Sequence, residues 1–276
     1  RGDESMSEEN GRTDLTWREL LDEGGARLSE AGVPDAGTDA WYLMEAAFGI
    51  DRVHYYLDQN RPIHAERLEK GYGRYQEMLQ KRAERIPLQQ ILGMQDFMGM
   101  TFSVDENVLI PRQDTETLVE RVLRDYPEKD LKLLDMCTGS GCIAVSLKKL
   151  GGYAHVEGAD ISEESLKVAK RNSEEILENN DVNNDAVSSR TEQIQNCTNL
   201  TNNQNKQDNS EERMVSEASK LSQAGVTFRH SDMFSNFPET EQFDVIVSNP
   251  PYIPSAVIEE LEPEVRDHEP RGALDG

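Results

Sequence analysis

The sequence predicts an α/β fold: a doubly wound parallel sheet, preceded by a small helical domain and a β-hairpin linker. Three observations predict it. Residues 13–86 carry apolar side chains at helical spacing, and residues 131–248 alternate short apolar strands with amphipathic helices. The first of those strands also runs directly into a turn built on Gly139 and Gly141. The length of 276 residues suits two domains.

The elements follow in order. Residues 1–12 are acidic and polar and read as a disordered tail, with no apolar stretch of the signal-peptide kind; the chain starts at Arg1, and Met6 is a candidate native start. In the domain 13–86, Thr16 and Glu19 have capping-box spacing, and Trp17, Leu20, Leu21 and Leu28 follow at helical intervals. A second helix is expected near Asp39–Phe48, with Leu43, Met44, Ala47 and Phe48 on one face and Gly49 as its stop. A third carries Leu68, Tyr72, Tyr75, Leu79 and Ile86 and ends at Pro87. The aromatic residues of this domain read as core.

Residues 87–111 change period. Thr101-Phe-Ser-Val alternates, Val108-Leu-Ile precedes Pro111, and Gly93 and Gly99 punctuate, which predicts a hairpin linker. The second domain, 112–276, opens with a helix near Asp114 that turns Leu118, Val119 and Val122 inward. Strands are expected at Leu131–Met136, Ala154–Asp160, Val226–Asp232 and Phe243–Ser248. One helix runs from the glycine turn to Leu150; another starts at Ser162 as N-cap, with Leu166, Ala169, Ile176 and Leu177 facing in. Residues 173–223 break the rhythm. They hold ten asparagines, five glutamines and seven serines but no aromatic residue, a composition that cannot bury a core, so they read as a disordered insertion. The sequons at Asn196 and Asn199 inside it read as chance matches, given no secretory signal.

Composition narrows the function. Against 29 lysines and arginines stand 53 aspartates and glutamates, for a net charge of −24, and mean hydropathy is −0.71. Affinity won by neutralising phosphates needs a basic face, so no direct nucleic-acid partner is expected. No run of about 18 apolar residues exists, and no membrane span is expected. Cys137, Cys142 and Cys197 give neither a disulfide framework nor zinc spacing; no metal is expected, and a reducing cytoplasm is the simplest compartment. A monomer is expected.

The chemistry gathers at strand ends. In Leu134-Asp-Met-Cys-Thr-Gly-Ser-Gly-Cys-Ile-Ala a strand enters Gly139 and Gly141 and a helix follows, as a ligand approaching the backbone closely requires. Asp160 ends the next strand, 19 residues after Gly141, where an acidic side chain can take both hydroxyls of a ribose. NAD and S-adenosylmethionine both fit this pair; Ile143-Ala144 in place of a third glycine disfavours a dinucleotide. Asn249-Pro250-Pro251-Tyr252 lies just past the last strand. Its prolines force an extended backbone with free carbonyls, and Asn249 offers both a donor and an acceptor. Together they can hold a planar NH2-bearing group by its hydrogens, with Tyr252 covering its face.

On these residues the chain resembles class I methyltransferases, of Rossmann-like fold, that modify exocyclic or amide nitrogen. Three further stretches are similar to the release factor glutamine N5-methyltransferases in particular: Pro87-Leu-Gln-Gln-Ile-Leu-Gly, Phe97-Met-Gly-Met-Thr-Phe-Ser-Val and Val108-Leu-Ile-Pro-Arg-Gln-Asp-Thr-Glu-Thr-Leu-Val-Glu. The resemblance covers about residues 13–172 and 224–276. It implies methyl transfer from S-adenosyl-L-methionine to the glutamine of the Gly-Gly-Gln motif of peptide chain release factors, with the helical domain recognising that substrate. It implies that Cys137, Thr138, Gly139, Ser140 and Gly141 line the methionine part of the cofactor and that Asp160 takes the ribose. Met233 lies against the adenine on this reading, and Asn249 contacts cofactor and substrate. Pro250, Pro251 and Tyr252 contact the substrate glutamine, with Asn249, Pro250 and Tyr252 as the catalytic group.

Three departures stand out. Cys137 occupies a position where the family has glycine, and is expected to crowd the loop; Gln113 replaces a proline. The chain stops at Gly276, soon after His268-Glu-Pro-Arg-Gly-Ala-Leu, where family members continue through the last strands; these C-terminal strands are expected to be missing, leaving the fourth strand as an open edge. Two rivals remain: a nucleic-acid adenine-N6 methyltransferase, which shares Asn-Pro-Pro-Tyr, and an inactive truncated binding module.

Overall fold

The computed structural model describes residues 15–178 and 225–276. The chain forms two units: one runs to Leu92 and takes in Pro263–His268, the other spans Gly93–Glu262 and Glu269–Gly276.

The first unit is helical: α1 (Trp17–Glu30), α2 (Ala36–Phe48), α3 (Arg52–Asp58), α4 (Ala65–Ala83), α5 (Leu88–Leu92) and the short helix Pro263–His268. The capping box closes α1: the Glu19 amide donates to Thr16 Oγ1, and the Thr16 amide donates to Glu19 Oε2 at 2.9 Å. Gly49, at φ 60°, ends α2 in the left-handed conformation that glycine enters without strain. Leu20, Leu28, Leu43, Met44, Tyr75 and Leu79 are fully buried together, and Trp17, Trp41, Phe48 and Tyr55 join them; Tyr42 and Tyr56, read as core with the other aromatic residues, are exposed instead. Three helices were not expected: α3, α5 and Pro263–His268. α3 has only seven residues, started by Asp51, whose side chain accepts from the His54 amide at 2.8 Å. α5 lies inside the stretch read as linker, because Leu88, Ile91 and Leu92 have helical spacing and pack on the helical core. α4 stops at Ala83, short of Ile86, and Arg85 turns the chain at φ 67°. Arg82 is buried between two carboxylates, donating to Asp39 at 2.7 Å and to Glu264 at 2.8 Å; Arg85 donates to Glu264 through two nitrogens at 2.7 Å.

The second unit opens with the hairpin β1 (Met94–Phe97) and β2 (Met100–Ser103). Met98 at φ 52° and Gly99 at φ 75° make the two-residue turn, both positive as a type I′ turn demands. Val108-Leu-Ile forms no strand; Val104 and Val108 instead pack on Val168. After α6 (Gln113–Asp125) come the four strands β3 (Lys132–Met136), β4 (His155–Asp160), β5 (Thr227–His230) and β6 (Val245–Ser248). They pair in the order β5-β4-β3-β6, all parallel. Register sets Met136 beside Ala159 and Ser248, and Asp160 beside His230, so all four strands end along one edge of the sheet. β3, in the interior of the sheet, is buried from Leu133 to Met136, while β5 and β6 are its edges among the described residues. A short helix, α7 (Cys142–Ser146), leads into a π-helical turn over Leu147–Gly151, and α8 (Glu163–Glu178) follows β4.

α8 continues to Glu178, six residues into the stretch read as disordered. Asn172 and Ser173 are buried, and Ile176 and Leu177 pack on the sheet's core, so the inward helical face outweighs the polar composition there. The remainder of that stretch, with Cys197 and both sequons, lies outside the described residues, as does the 1–12 tail.

Candidate active site

The chain leaves β3 and turns through Cys137–Gly141 into α7 with three residues at positive φ: Cys137 at 61°, Gly139 at 54° and Gly141 at 79°. The two glycines serve different ends. A Cβ on Gly141 would come within 3.0 Å of the Ala169 Cβ, so its absence lets α8 approach the loop. A Cβ on Gly139 would meet no protein atom within 4 Å, so this face of the loop is open to a ligand. The Thr138 amide donates to Ala159 O at 3.0 Å and the Gly141 amide to Thr138 O at 2.8 Å. Cys137 explains its own oddity. Its backbone is left-handed, which any side chain enters at a cost, but the thiol does not crowd the loop as expected: it fits half-buried against Leu134, Met136 and Ala159. Burial raises its pKa, against a hydrogen bond with Ser248.

Beneath the loop sits Asp135, a buried carboxylate among the apolar residues Leu133, Leu134 and Met136 of β3. Its Oδ2 accepts from Thr138 Oγ1 at 2.6 Å and from the Ala144 amide at 3.1 Å; Oδ1 is buried and has no partner among the described residues. Burial pushes this carboxyl up to about 7, against the two hydrogen bonds.

Asp160, at the end of β4, reaches the loop directly. Its Oδ2 accepts from the Gly139 amide at 2.9 Å and its Oδ1 from the Ser162 amide at 2.9 Å. A carboxylate has about four acceptor sites, so two remain for a ligand's hydroxyls. The Ser231 amide donates to Asp160 O at 2.9 Å, which draws the end of β5 to the same edge. Ser231 Oγ then donates to Met233 O at 2.7 Å and accepts from the Asn236 amide at 3.1 Å, pinning a turn that leaves Met233 half exposed at φ 47°.

Asn249 follows β6. The residue before it, Ser248, pairs with Met136 and donates to Met136 O at 2.7 Å, so Asn249 leaves the sheet beside the root of the glycine loop. The Asn249 side-chain amide is half-buried and makes no hydrogen bond to another described residue. Pro250 is exposed, Pro251 half-buried, and Tyr252 is 74% exposed. The chain after them is braced: the Ile253 amide donates to Leu274 O at 2.9 Å, the Gly276 amide to Ile253 O at 3.1 Å, and Ser255 Oγ to Asp275 at 2.6 Å.

Of the expected site residues, Gly139 and Asp160 are in contact, Asn249 directly follows β6, Met233 lies three residues beyond β5, and Tyr252 is exposed. Two residues carry roles that the sequence reading passed over: Asp135 under the loop, and Asn172 of α8, which donates to Ser140 O at 2.9 Å. Both left a signal, a polar residue at an apolar position of a strand or a helix face. Among the described residues no cluster of His, Cys, Asp or Glu can hold a metal ion, and no helix is long and apolar enough to cross a membrane.

A parallel sheet with a glycine turn after its central strand, an acidic residue ending the next and Asn-Pro-Pro-Tyr beyond the other neighbour defines the class I methyltransferase fold. Residues 19–93 match the PrmC N-terminal domain, and residues 154–271 match the Eco57I restriction-modification methylase. The release factor glutamine methyltransferase of Geobacter sulfurreducens is 37% identical over 95% of this chain and 74% of its own length. Those of Caulobacter vibrioides and Leptospira interrogans are 33% and 32% identical, over 91% and 92% of this chain and 70% and 73% of their own. The chain belongs to the release factor glutamine methyltransferase family. A solved ribosomal protein L11 methylase from Lactobacillus delbrueckii overlaps 62% of each chain at 18% identity, with a TM-score of 0.31, too slight a likeness to carry an argument.

Proposed function

We propose that this protein transfers a methyl group from S-adenosyl-L-methionine to the side-chain amide nitrogen of the glutamine in the Gly-Gly-Gln motif of peptide chain release factors. The observation that carries this reading is the Asn249 amide, without a partner among the described residues, beside a glycine loop whose Gly139 face is open. The relatives' names supply the substrate. On this reading Cys137, Thr138, Gly139, Ser140 and Gly141 hold the methionine part of the donor, Asp160 its ribose and Met233 its adenine. The open face of Gly139 and the spare lone pairs of Asp160 fit such a group. The bound donor supplies a methyl group on a positively charged sulfur, which departs as a neutral thioether.

The protein's own residues address the acceptor. An amide nitrogen is a poor nucleophile because its lone pair is delocalised into the carbonyl. Asn249 Oδ1 and the Pro250 carbonyl accept its two hydrogens, favour partial pyramidalisation and aim the lone pair. The same acceptors stabilise the positive charge that develops on nitrogen, so they bind the transition state better than the ground state. Holding the nitrogen about 3 Å from the methyl supplies the proximity term. Methylation raises the nitrogen's acidity, and its proton leaves to water without a general base. Tyr252 covers the amide plane, and Pro251 keeps the segment extended. The reading implies a cytoplasmic protein acting on release factors.

The test labels three substrates side by side with methyl-tritiated donor: a release factor, its Gln→Ala variant at Gly-Gly-Gln, and duplex DNA. Label on the parent factor alone is the expected result. Equal labelling of both factors removes glutamine as acceptor, and label on DNA replaces the reading with adenine methylation.

A further inference from the structure

Asn172 sits in the middle of α8 with no exposed surface, and three of its four side-chain hydrogen-bonding sites are directed at two backbone segments. Its Oδ1 accepts from the Ser103 amide at 2.7 Å, and its Nδ2 donates to Ser103 O at 3.0 Å and to Ser140 O at 2.9 Å. Ser103 is the last residue of β2; both of its backbone groups are taken by one side chain, as a neighbouring strand would take them. Ser140 lies between the two glycines of the loop. The loop's other restraints act on its neighbours: Thr138 is held by Asp135 and Ala159, and Gly139 by Asp160. Asn172 holds the Ser140 carbonyl, which those bonds do not reach, and joins it to the hairpin.

The residue type matters. An apolar side chain of similar volume would fill the site but leave the buried Ser140 carbonyl and the part-buried Ser103 amide and carbonyl without this partner. Aspartate keeps the acceptor but loses both donors and sets a charge against two carbonyl oxygens. A second tie, from Ser103 Oγ to Glu175 at 3.0 Å, runs to the same helix, so α8 carries the hairpin and the loop as one body.

We infer that Asn172 is a positioning residue, which fixes the hairpin strand to the glycine loop and sets the loop's backbone for the methyl donor. The donor's place in the loop rests on the proposed function; the grip on the loop does not.

The experiment compares the full chain with Asn172→Ala, Asn172→Asp and Val168→Ala. Val168 is a buried residue of the same helix that packs on Val104 and Val108 without reaching the loop, and so reports general loosening of α8. Hydrogen exchange is followed at the Ser103 and Gly139–Cys142 amides, and S-adenosylmethionine affinity by calorimetry. Asn172→Ala is expected to speed exchange at both segments and to weaken donor affinity at least tenfold, with KM for the donor rising more than kcat falls. Val168→Ala, at a comparable loss of Tm, is expected to change both within twofold. Asn172→Asp is expected to regain donor affinity as pH falls, because the neutral acid recovers one O–H donor for a carbonyl; the parent and the alanine variant lack that response. Unchanged loop exchange in Asn172→Ala, or an equal effect from Val168→Ala, overturns the inference. Faster loop exchange in Asn172→Ala with no donor binding by the parent protein keeps the grip on the loop and overturns the donor reading instead.

Discussion

Asn249 carries the sharpest expectation at the scale of single residues. Replacing it with alanine removes the side-chain acceptor and leaves the Pro250 carbonyl alone, a loss comparable to deleting one oxyanion-hole donor, about 2.7–4 kcal/mol. Methyl transfer to a release factor should fall about 100- to 1000-fold, while donor affinity falls far less; single-turnover assays beside calorimetry separate the two. Asp160→Ala has the opposite signature. It removes the acceptor of the Gly139 amide as well as the proposed ribose contact, so donor binding should weaken by roughly 1.5–3 kcal/mol, the range for hydrogen bonds to a charged group. Calorimetry that finds NAD(H) bound and S-adenosylmethionine not bound would remove the donor assignment. Cys137→Gly should stabilise the protein. A left-handed non-glycine residue costs about 1–2 kcal/mol, and glycine's extra unfolded-state freedom returns about 0.5–1 kcal/mol of that. A rise in Tm is expected; a fall would mean that the packed thiol outweighs the backbone cost. The roles of Asn249 and Asp160 could be argued from residue type and position alone. The partners of Asp160 could not, because its contacts with Gly139 and Ser162 depend on where β4 ends beside the loop.

At the scale of elements, β3 shows how a strand can bury a titrating group. The Asp135 carboxyl rises from an unfolded value near 3.9 to about 7 in the fold, because burial penalises its charge. Between those values the folded state binds more protons than the unfolded one, so this group makes stability fall as pH rises from about 4 to about 7. The proton can rest on the unpaired Oδ1 while Oδ2 goes on accepting from Thr138 and Ala144. Asp135→Asn should flatten that part of the stability profile, which denaturant titrations across the range would measure; an unchanged slope would assign it to other groups. Helices were legible where apolar residues repeat at helical spacing and a cap is present, as in α1 and α2. α3 escaped because seven residues hold too few repeats. The end of α8 was read two ways, with Ile176 and Leu177 on the inward helical face but residues 173–178 inside the polar insertion; burial of Ser173 and the packing of Ile176 and Leu177 on the sheet's core decide for helix.

At the scale of the whole chain, the helical unit is closed by a segment far away in sequence. Glu264 bonds to Arg82, 182 residues earlier, and to Arg85. Burial alone would raise the Glu264 carboxyl, but the hydrogen bonds from Arg85 and Arg82 outweigh it and hold it at about 2. Its folded pKa lies below the unfolded value, so its contribution is present above about 4.5 and is lost as pH falls toward 2. Glu264→Gln should cost about 1–3 kcal/mol at neutral pH and nothing near pH 2; a Tm difference that persists at low pH would contradict this ionic origin. By itself, the amino-acid sequence determined the α/β class, the helical domain, the hairpin and the motifs at the strand ends. Each depends on local spacing, on glycine and proline geometry, or on a short string of residues whose chemistry is specific. Only the tertiary structure decided that Glu264 belongs with Arg82 and Arg85, that Asp135 is buried with one oxygen unpaired among the described residues, and that Asn172 joins β2 to the glycine loop. Those are contacts between residues distant in sequence, and their energies depend on desolvation and geometry that no local pattern encodes.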